Sequence, residues 1–179
     1  PLESKRILEV GCGRGQWFAT FETLGACREN LCGIELDAER GAACAERFPR
    51  TDIRIGDATE LPWEDGTFDL VFQSTVFTAV LDDEVKVKLA EEMLRVVKPE
   101  GTLLWYDFHY NNPRNANVRG IGRDEIARLF PNCSIWLRKA TLAPPIVRKV
   151  VPFSWTLASL LQSLYLLNTH LIGFIKKRG

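Results

Sequence analysis

Short apolar runs alternate with amphipathic helical patterns over the first two-thirds of the chain. Arg6–Val10 is an apolar run of strand length, and large apolar side chains recur at helical spacing in Gln16–Leu24. The alternation continues and predicts strands at Leu31–Leu36, Asp52–Ile55, Phe68–Phe72 and Thr102–Tyr106, helices at Ala38–Phe48 and from Asp82 or Asp83 to about Val97, and a turn at Lys98–Gly101. Strands that alternate with helices are typical of βαβ units. The pattern therefore predicts an α/β fold around a doubly wound, mostly parallel sheet.

The pattern changes after residue 107. Phe108–Arg119 is rich in Asn, Arg and Pro and is predicted to be a loop. Arg123–Phe130 predicts a short helix, and Cys133–Leu142 alternates like a strand. An apolar stretch over residues 146–166 predicts one helix, and His170–Lys177 predicts the last strand.

Charge divides the chain into two parts, although the net charge is zero. Residues 1–107 carry 12 Lys/Arg and 21 Asp/Glu, a balance of −9, whereas residues 108–179 carry 11 and 2, a balance of +9. No acidic residue follows Glu125. The basic part is suited to attract an anionic substrate or an anionic membrane surface, and cations on solvated faces are the equal alternative.

The apolar stretch Val150–Leu167, near the end of the chain, approaches the length of a membrane segment. Polar residues interrupt it, and Pro152 lies near its start, so it falls short of the roughly 20 predominantly apolar residues of a spanning helix. A helix that covers the sheet or the active site is the first expectation. Contact of residues 146–167 with a membrane surface is the alternative.

Cysteine usage and the first residues bear on the compartment. The chain has five cysteines without a Cys-x-x-Cys pair, which indicates free thiols in a reducing compartment and no zinc site. Pro1 opens a segment without the apolar run of a signal peptide. We expect a cytoplasmic protein without a metal, and further chain upstream of Pro1 in the native protein.

A glycine-rich sequence follows the first predicted strand. Gly11, Gly13 and Gly15 permit positive φ angles and a close approach of the backbone to a ligand. The next helix presents free N–H groups and the positive end of its dipole, which suits a carboxylate. Glu9 lies just before the loop, where it can accept from a ligand's ammonium group or order the loop. A dinucleotide site would have its third glycine at position 16, which here is Gln16.

Acidic residues follow two further strands at the edge where doubly wound sheets bind their ligands. Glu35 is placed to hold both hydroxyls of a ribose. Asp57 is placed to accept from an adenine amino group while the N–H of Ala58 donates to the ring, and a simple turn aspartate is the alternative. Leu61 and Trp63 are expected to pack near the base.

Together these motifs resemble the class I S-adenosylmethionine (SAM)-dependent methyltransferases. The matching stretches come in family order within about residues 5–107, and they are Leu8–Gly15, Gly33–Leu36, Gly56–Trp63, Phe68–Val71 and Leu94–Gly101. The resemblance implies SAM as cofactor and S-adenosylhomocysteine as product. It also implies a Rossmann-like sheet of order 3-2-1-4-5-7-6 with an antiparallel last strand.

The same resemblance implies which residues surround SAM. The methionine end would meet the glycine loop, the ribose Glu35, and the adenine Asp57 and Ala58. Gln73, just past the fourth strand, would face the reacting centre. The expected cofactor-binding residues are Glu9, Gly11, Cys12, Gly13, Gly15, Trp17, Glu35, Leu36, Gly56, Asp57, Ala58 and Gln73.

The methyl acceptor is expected to bind after the fourth and fifth strands. His109, one of two histidines, is the candidate general base, and a histidine that orders the loop is the favoured alternative. The candidate acceptor-binding residues are Tyr106, Tyr110 and Asn111, with Arg114 and Arg119 for a phosphate or carboxylate, and residues that only fix the loop are the alternative. The tryptophans form no ordered stacking platform, so we expect no nucleic acid partner.

These expectations combine into one function. A single domain over residues 1–179 would have a cofactor-binding half, 1–107, and a substrate-side half, 108–179. It would transfer a methyl group from SAM to a small molecule that is anionic or linked to a sugar or lipid. A SAM-binding protein without transferase activity is the alternative, followed by an NAD-dependent oxidoreductase.

Overall fold

A seven-stranded sheet organises the protein in a computed structural model that describes residues 1–111, 115–163 and 167–178. The strands are β1 (Ile7–Val10), β2 (Leu31–Glu35), β3 (Asp52–Ile55), β4 (Phe68–Ser74), β5 (Val97–Phe108), β6 (Cys133–Leu142) and β7 (Asn168–Lys177). They lie in the order β3-β2-β1-β4-β5-β7-β6. Strands β1 to β5 pair in parallel, and β7 is antiparallel to both β5 and β6. The predicted fold class and strand order are confirmed.

Helices connect the strands, and α2 and α3 each begin at an aspartate whose side chain caps the helix. They are α1 (Gln16–Thr23), α2 (Ala38–Arg47), α3 (Asp83–Val96), α4 (Arg123–Leu129), α5 (Pro144–Val150) and α6 (Trp155–Ser163). The Asp37 carboxylate caps α2 by accepting from the backbone N–H of Arg40 at 2.9 Å. Asp82 caps α3 by accepting from the N–H of Glu84 at 2.8 Å. These caps fix where both helices start relative to the edge of the sheet.

The sheet buries a hydrophobic layer on each face. On one face, residues of β1, β4 and β5 such as Leu8, Val71 and Trp105 pack in one cluster with apolar residues of α3 and α4. On the other face, Ile7 and Phe72 pack in a second cluster with residues of α1 and α2. β1 and β2 are buried along their whole length. Two buried strands side by side make the sheet a rigid support for the loops that follow them.

The structure corrects the prediction around β5. The sequence predicts a turn at Lys98–Gly101 and a strand from Thr102, whereas the strand already begins at Val97. Phe68 pairs with Val97 and Leu70 with Thr102, so residues 98–101 form a bulge within β5. Pro99, which cannot donate to a strand ladder, lies in this bulge.

The predicted single helix over residues 146–166 is also corrected. Two helices, α5 and α6, are separated by a turn that contains Pro152, which lacks the N–H that a continuous helix requires. Residues 164–166 lie outside the described residues. We call residues 143–167 the helical hairpin. The N–H of Ala143 donates to the carbonyl of Leu167 at 2.9 Å and closes its base. Within the described ranges, no helix combines the length and the apolar character needed to cross a membrane.

A pair of glycine substitutions tests how closely α1 and α2 pack. Gly15 and Gly25 both have positive φ angles, 75° and 90°. A Cβ at Gly15 would lie 2.5 Å from the Phe48 ring, whereas a Cβ at Gly25 meets nothing within 4 Å. We expect Gly25→Ala to lose about 1–2 kcal/mol of unfolding free energy from backbone strain. Gly15→Ala should lose about 1–3 kcal/mol more from overpacking, measured by urea denaturation. Equal losses in the two variants would contradict this packing.

Candidate active site

A cleft with two adjoining chambers lies at the carboxyl ends of β1 to β4. The glycine-loop chamber, of about 300 Å³, is lined by Glu9, Gly11, Cys12, Gly13, Arg14, Gln16, Trp17, Arg40, Ser74 and Thr75. The Asp57 chamber, of about 410 Å³, is lined by residues that include Glu35, Leu36, Gly56, Asp57, Ala58 and Val80. Gly11, Arg40, Ser74 and Thr75 border both chambers. The cleft can therefore hold one elongated ligand.

The glycine loop crosses the cleft with its backbone exposed to a ligand. Gly11 and Gly13 have φ angles of 69° and 57°, which side chains with a Cβ rarely adopt. The N–H groups of Gly11 and Cys12 donate to the carbonyl of Ile34, at 2.9 and 3.1 Å. These two hydrogen bonds thus hold the loop after β1 against the carboxyl end of β2. The positive φ angles allow this contact without a steric clash.

Glu9 places an unpaired carboxylate oxygen beneath the glycine-loop chamber. Its side chain is almost fully buried, and its Oε2 has no hydrogen-bond partner within the described structure. Burial, with smaller contributions from the nearby Cys44 thiol and the Glu35 carboxylate, raises the pKa of Glu9 well above its usual value. A buried acceptor without a donor is costly in free energy. A cationic ligand group in this chamber would supply the missing donor.

Glu35 joins the loops that follow β1 and β2. Its Oε2 accepts from the N–H of Gly13 at 2.7 Å, and its Oε1 accepts from the N–H of Asp37 at 3.1 Å. A guanidinium nitrogen of Arg40 lies 3.8 Å from Oε1. A carboxylate offers about four acceptor positions, so positions remain for ribose hydroxyls after these two bonds form. The predicted ligand residue therefore also holds the loop in place.

Asp57 lies at the far end of the cleft with its carboxylate exposed. Its Oδ1 accepts from the N–H of Thr59 at 2.9 Å, which orients the side chain and leaves the second oxygen for a ligand. Leu61 and Trp63 were expected beside a base, but both are buried in the core. The indole N–H of Trp63 donates to Asp52 at 3.1 Å. The apolar lining of the Asp57 chamber comes instead from residues that include Ala79, Val80, Val85 and Leu89.

Two of the expected cofactor-binding residues, Gly15 and Gln73, lie outside the linings of the two chambers. Gly15 does not line either chamber, because the position of its missing Cβ faces Phe48 and Cys44, so this glycine serves helix packing. Gln73 is fully buried beneath the cleft, and its Oε1 accepts from the N–H of Val76 at 3.1 Å. The next two residues, Ser74 and Thr75, border the chambers in its place.

An aromatic row leads from the glycine-loop chamber to the helical hairpin. Trp17 contacts Tyr106 edge-on, with ring centroids 6.0 Å apart. Tyr106 stacks on His170 at 4.6 Å and 8°, and its hydroxyl shares a 2.7 Å hydrogen bond with the hydroxyl of Thr141. His170 in turn lies 4.0 Å from the Phe108 ring. These aromatic groups sit on the side of the cleft where β5 ends, so they are suited to border a methyl acceptor.

His109, the expected general base, makes a structural contact. Its Nε2 lies 3.0 Å from the carbonyl oxygen of Asn168, and its backbone N–H donates to the carbonyl of Thr169. It does not belong to the lining of either chamber. This geometry matches the alternative role, a histidine that orders the loop after β5. Asn111 acts in the same way, because its Oδ1 accepts from the N–H of Gly120 at 2.9 Å.

The remaining acceptor candidates are dispersed. Tyr110 is half-exposed and contacts the His109 ring at 4.0 Å. Arg119 is not available for an anion at the cleft, because its guanidinium pairs with the carboxylates of Asp83 and Glu125. Arg114 lies outside the described residues. Among the acceptor candidates that the structure describes, Tyr106 contacts Trp17, which lines the cleft.

Three residues that border both chambers, Arg40, Ser74 and Thr75, were not predicted as cofactor contacts. Arg40 lies on the first turn of α2, where an exposed arginine is ordinary, so its sequence context carries no signal. Thr75 adopts a φ of 59°, which is rare for a β-branched residue. Its N–H donates to the carbonyl of Tyr106 at 2.9 Å. Such strain is common at functional sites but cannot be seen in a sequence.

The buried imidazole of the aromatic row predicts a pH dependence. Burial lowers the pKa of His170 to about 4, so the folded protein favours the neutral ring. The unfolded chain binds this proton at higher pH, and stability is therefore lost as the pH falls from about 6.5 toward about 4. The contribution of one proton is at most about 1.4 kcal/mol per pH unit. His170→Phe keeps an aromatic ring and should flatten this part of the curve in urea denaturation. Parallel curves for the two proteins would contradict the assignment.

Comparison with known proteins places this cleft in a family. The methyltransferase domain family matches residues 8–105. A probable SAM-dependent methyltransferase of Mycolicibacterium smegmatis is 31% identical over 55% of this chain and 36% of its own length. Demethylmenaquinone methyltransferase of Renibacterium salmoninarum is 33% identical over 73% of this chain and 52% of its own length. The chain thus spans about half or less of the length of these relatives.

Solved structures agree on the fold. A SAM-dependent methyltransferase of Methanosarcina mazei superimposes with a TM-score of 0.72 at 16% identity, over 99% of this chain and 94% of its own. The family match covers more than half of the chain and contains the residues of both chambers from Glu9 to Leu89. The chain therefore belongs to the methyltransferase domain family, within the class I SAM-dependent methyltransferases.

Proposed function

We propose that this protein transfers a methyl group from SAM to a small-molecule acceptor. The observation that carries the proposal is the unpaired, buried Oε2 of Glu9 beneath the glycine-loop chamber. The ammonium group of the methionine part of SAM is a donor of the required charge. The Asp57 chamber, on the other side of Arg40, offers acceptors for a ribose and an adenine.

The glycine-loop chamber would hold the methionine part of SAM, and the Asp57 chamber would hold its ribose and adenine. Glu9 would hold the ammonium group, and the N–H groups of the loop before α1 would face the carboxylate. Glu35, already bonded to the N–H of Gly13, would accept from the ribose hydroxyls. Asp57 and Ala58 would meet the adenine edge, with Leu36 and Gly56 beside them. This order leaves the sulfonium near Trp17, Ser74 and Thr75, where the two chambers meet the aromatic row.

When bound, SAM supplies a methyl group on a positively charged sulfur. The leaving group is the neutral thioether of S-adenosylhomocysteine, which departs readily. The main task of the protein is then to align an acceptor with that methyl group. Trp17 lines the glycine-loop chamber and contacts Tyr106, so the two rings would border one side of the approach. A general base helps only an acceptor that must lose a proton. An acceptor that loses no proton would therefore need alignment by the protein and no catalytic base.

We further propose that the acceptor is anionic, or linked to a sugar or lipid, and that the protein acts in the cytoplasm. The positive balance of residues 108–179 supports an anionic acceptor. The relative from Renibacterium salmoninarum is named for methyl transfer to demethylmenaquinone. Contact of residues 146–167 with a membrane surface would suit an acceptor of this kind.

Ligand-dependent thermal stability tests the class of ligand. SAM, S-adenosylhomocysteine and NAD are added separately, and the unfolding temperature is followed. We expect SAM and S-adenosylhomocysteine to raise it, because a ligand that binds only the folded state stabilises it by mass action. Stabilisation by NAD alone would exclude the proposed function. Stabilisation by SAM without transfer of labelled methyl groups to any small-molecule or lipid extract would indicate a SAM-binding protein without transferase activity.

Two substitutions test the placement of the nucleoside. Asp57→Ala should weaken SAM binding about tenfold or more, because a hydrogen bond to a charged group contributes about 1.5–3 kcal/mol. Glu35→Ala should weaken it further, because it also releases the N–H of Gly13 from its 2.7 Å bond. Glu60→Ala, an exposed carboxylate three residues after Asp57, is the matched control and should bind as the wild type. Titration calorimetry measures all three variants, and wild-type affinity in both site variants would refute the placement.

A further inference from the structure

The helical hairpin carries large apolar side chains that are exposed to solvent. Phe153, in the turn between α5 and α6, is 90% exposed, and Trp155, at the start of α6, is 72% exposed. Leu160 and Leu167 add exposed apolar surface on the same hairpin. Isolated exposed apolar residues are ordinary, but several on one short segment indicate a contact surface.

Basic side chains flank this apolar surface. Arg148 and Lys149 lie in the last turn of α5, next to the turn that carries Phe153, and both are exposed. Neither forms an ion pair with a carboxylate that the structure describes. Eight Lys/Arg and no Asp/Glu follow Glu125 in the sequence. Aromatic rings beside unpaired cations are complementary to an anionic bilayer, where rings lie at headgroup level and cations meet lipid phosphates.

The hairpin rises from the edge of the sheet that carries the cleft. β7 is antiparallel to β5, so its first residues pair with the last residues of β5, as His170 does with Phe108. Thr141 and His170, at the base of the hairpin, both contact Tyr106. Tyr106 contacts Trp17, which lines the glycine-loop chamber. A surface that the hairpin contacts would therefore lie beside the acceptor side of the cleft.

We propose that the helical hairpin docks the protein on an anionic lipid bilayer. Phe153 and Trp155 insert at headgroup level, and Arg148 and Lys149 bind lipid phosphates. The docking brings a membrane-borne acceptor to the aromatic row, and this last step rests on the proposed methyl transfer. The docking itself does not depend on it.

Vesicle sedimentation with the 179-residue chain tests the docking. Vesicles of phosphatidylcholine and phosphatidylglycerol in equal parts are compared with vesicles of phosphatidylcholine alone. We expect binding to the anionic vesicles, weakened by added salt, and little binding to the neutral ones. The double variant Phe153→Ser/Trp155→Ser should bind the anionic vesicles about tenfold more weakly or worse. Lys149→Gln should bind them roughly fivefold more weakly.

Matched controls separate the hairpin from general surface effects. Trp136→Ser removes another exposed tryptophan, 55% exposed on β6, and Lys88→Gln removes an exposed lysine of α3. Both should bind vesicles as the wild type does. The docking is overturned if the Phe153/Trp155 double variant binds as the wild type, or if the controls weaken binding as much. It is also overturned if the wild type binds neither kind of vesicle. If the double variant then converts a dimer to a monomer, the hairpin is an interface between copies.

Calorimetry with SAM on the same variants distinguishes the two proposals. We expect every variant to bind SAM as the wild type, which also shows that the variants are folded. Vesicle binding without SAM binding in the wild type would leave the docking intact and refute the proposed function. SAM binding and methyl transfer without vesicle binding would refute the docking and leave the proposed function intact.

Discussion

The hydrogen bond from the N–H of Gly13 to the carboxylate of Glu35, 2.7 Å long and buried, is the interaction on which the cleft depends. It joins the loop after β1 to the end of β2, and the bonds from Gly11 and Cys12 to the carbonyl of Ile34 reinforce the same junction. The loop can lie this close to β2 only because Gly11 and Gly13 adopt positive φ angles. Without the junction the two chambers would not share an edge.

This junction also determines the electrostatics of the cleft. Glu35 is satisfied by two backbone N–H groups, whereas Glu9, nearby and buried, has an oxygen without a donor. The protein thus keeps one carboxylate for its own architecture and one for a cationic partner. An unsatisfied buried carboxylate lowers the stability of the unliganded protein, and a ligand that supplies an ammonium group recovers that loss on binding. The same residue therefore couples ligand binding to stability.

Much of this arrangement could be predicted, because the cofactor half is specified by local patterns. Alternation of apolar runs located the first five strands along the chain, and the family resemblance supplied their order in the sheet. Glu9, Glu35 and Asp57 lie at or near the strand ends where the motifs place them. Gly15 and Gln73 lie outside the chamber linings, which sequence spacing could not show. A one-residue change along a strand or loop reverses the direction of a side chain, and sequence spacing does not show whether Gln73 or Ser74 faces the cleft. The ion pairs of Arg119 could not be predicted either, because its partners, Asp83 and Glu125, come from other elements of the fold. The hairpin was predicted as one helix because apolar composition outweighed the single Pro152.

We propose above all that the unpaired oxygen of Glu9 accepts a hydrogen bond from the ammonium group of SAM. A crystal structure with S-adenosylhomocysteine tests it most directly, because that product keeps the same amino acid and nucleoside parts. The account predicts one ligand across both chambers, with its amino group within hydrogen-bonding distance of Glu9 Oε2 and its adenine beside Asp57 and Ala58. A ligand in the reverse orientation, or one whose amino group leaves Glu9 unpaired, would contradict it.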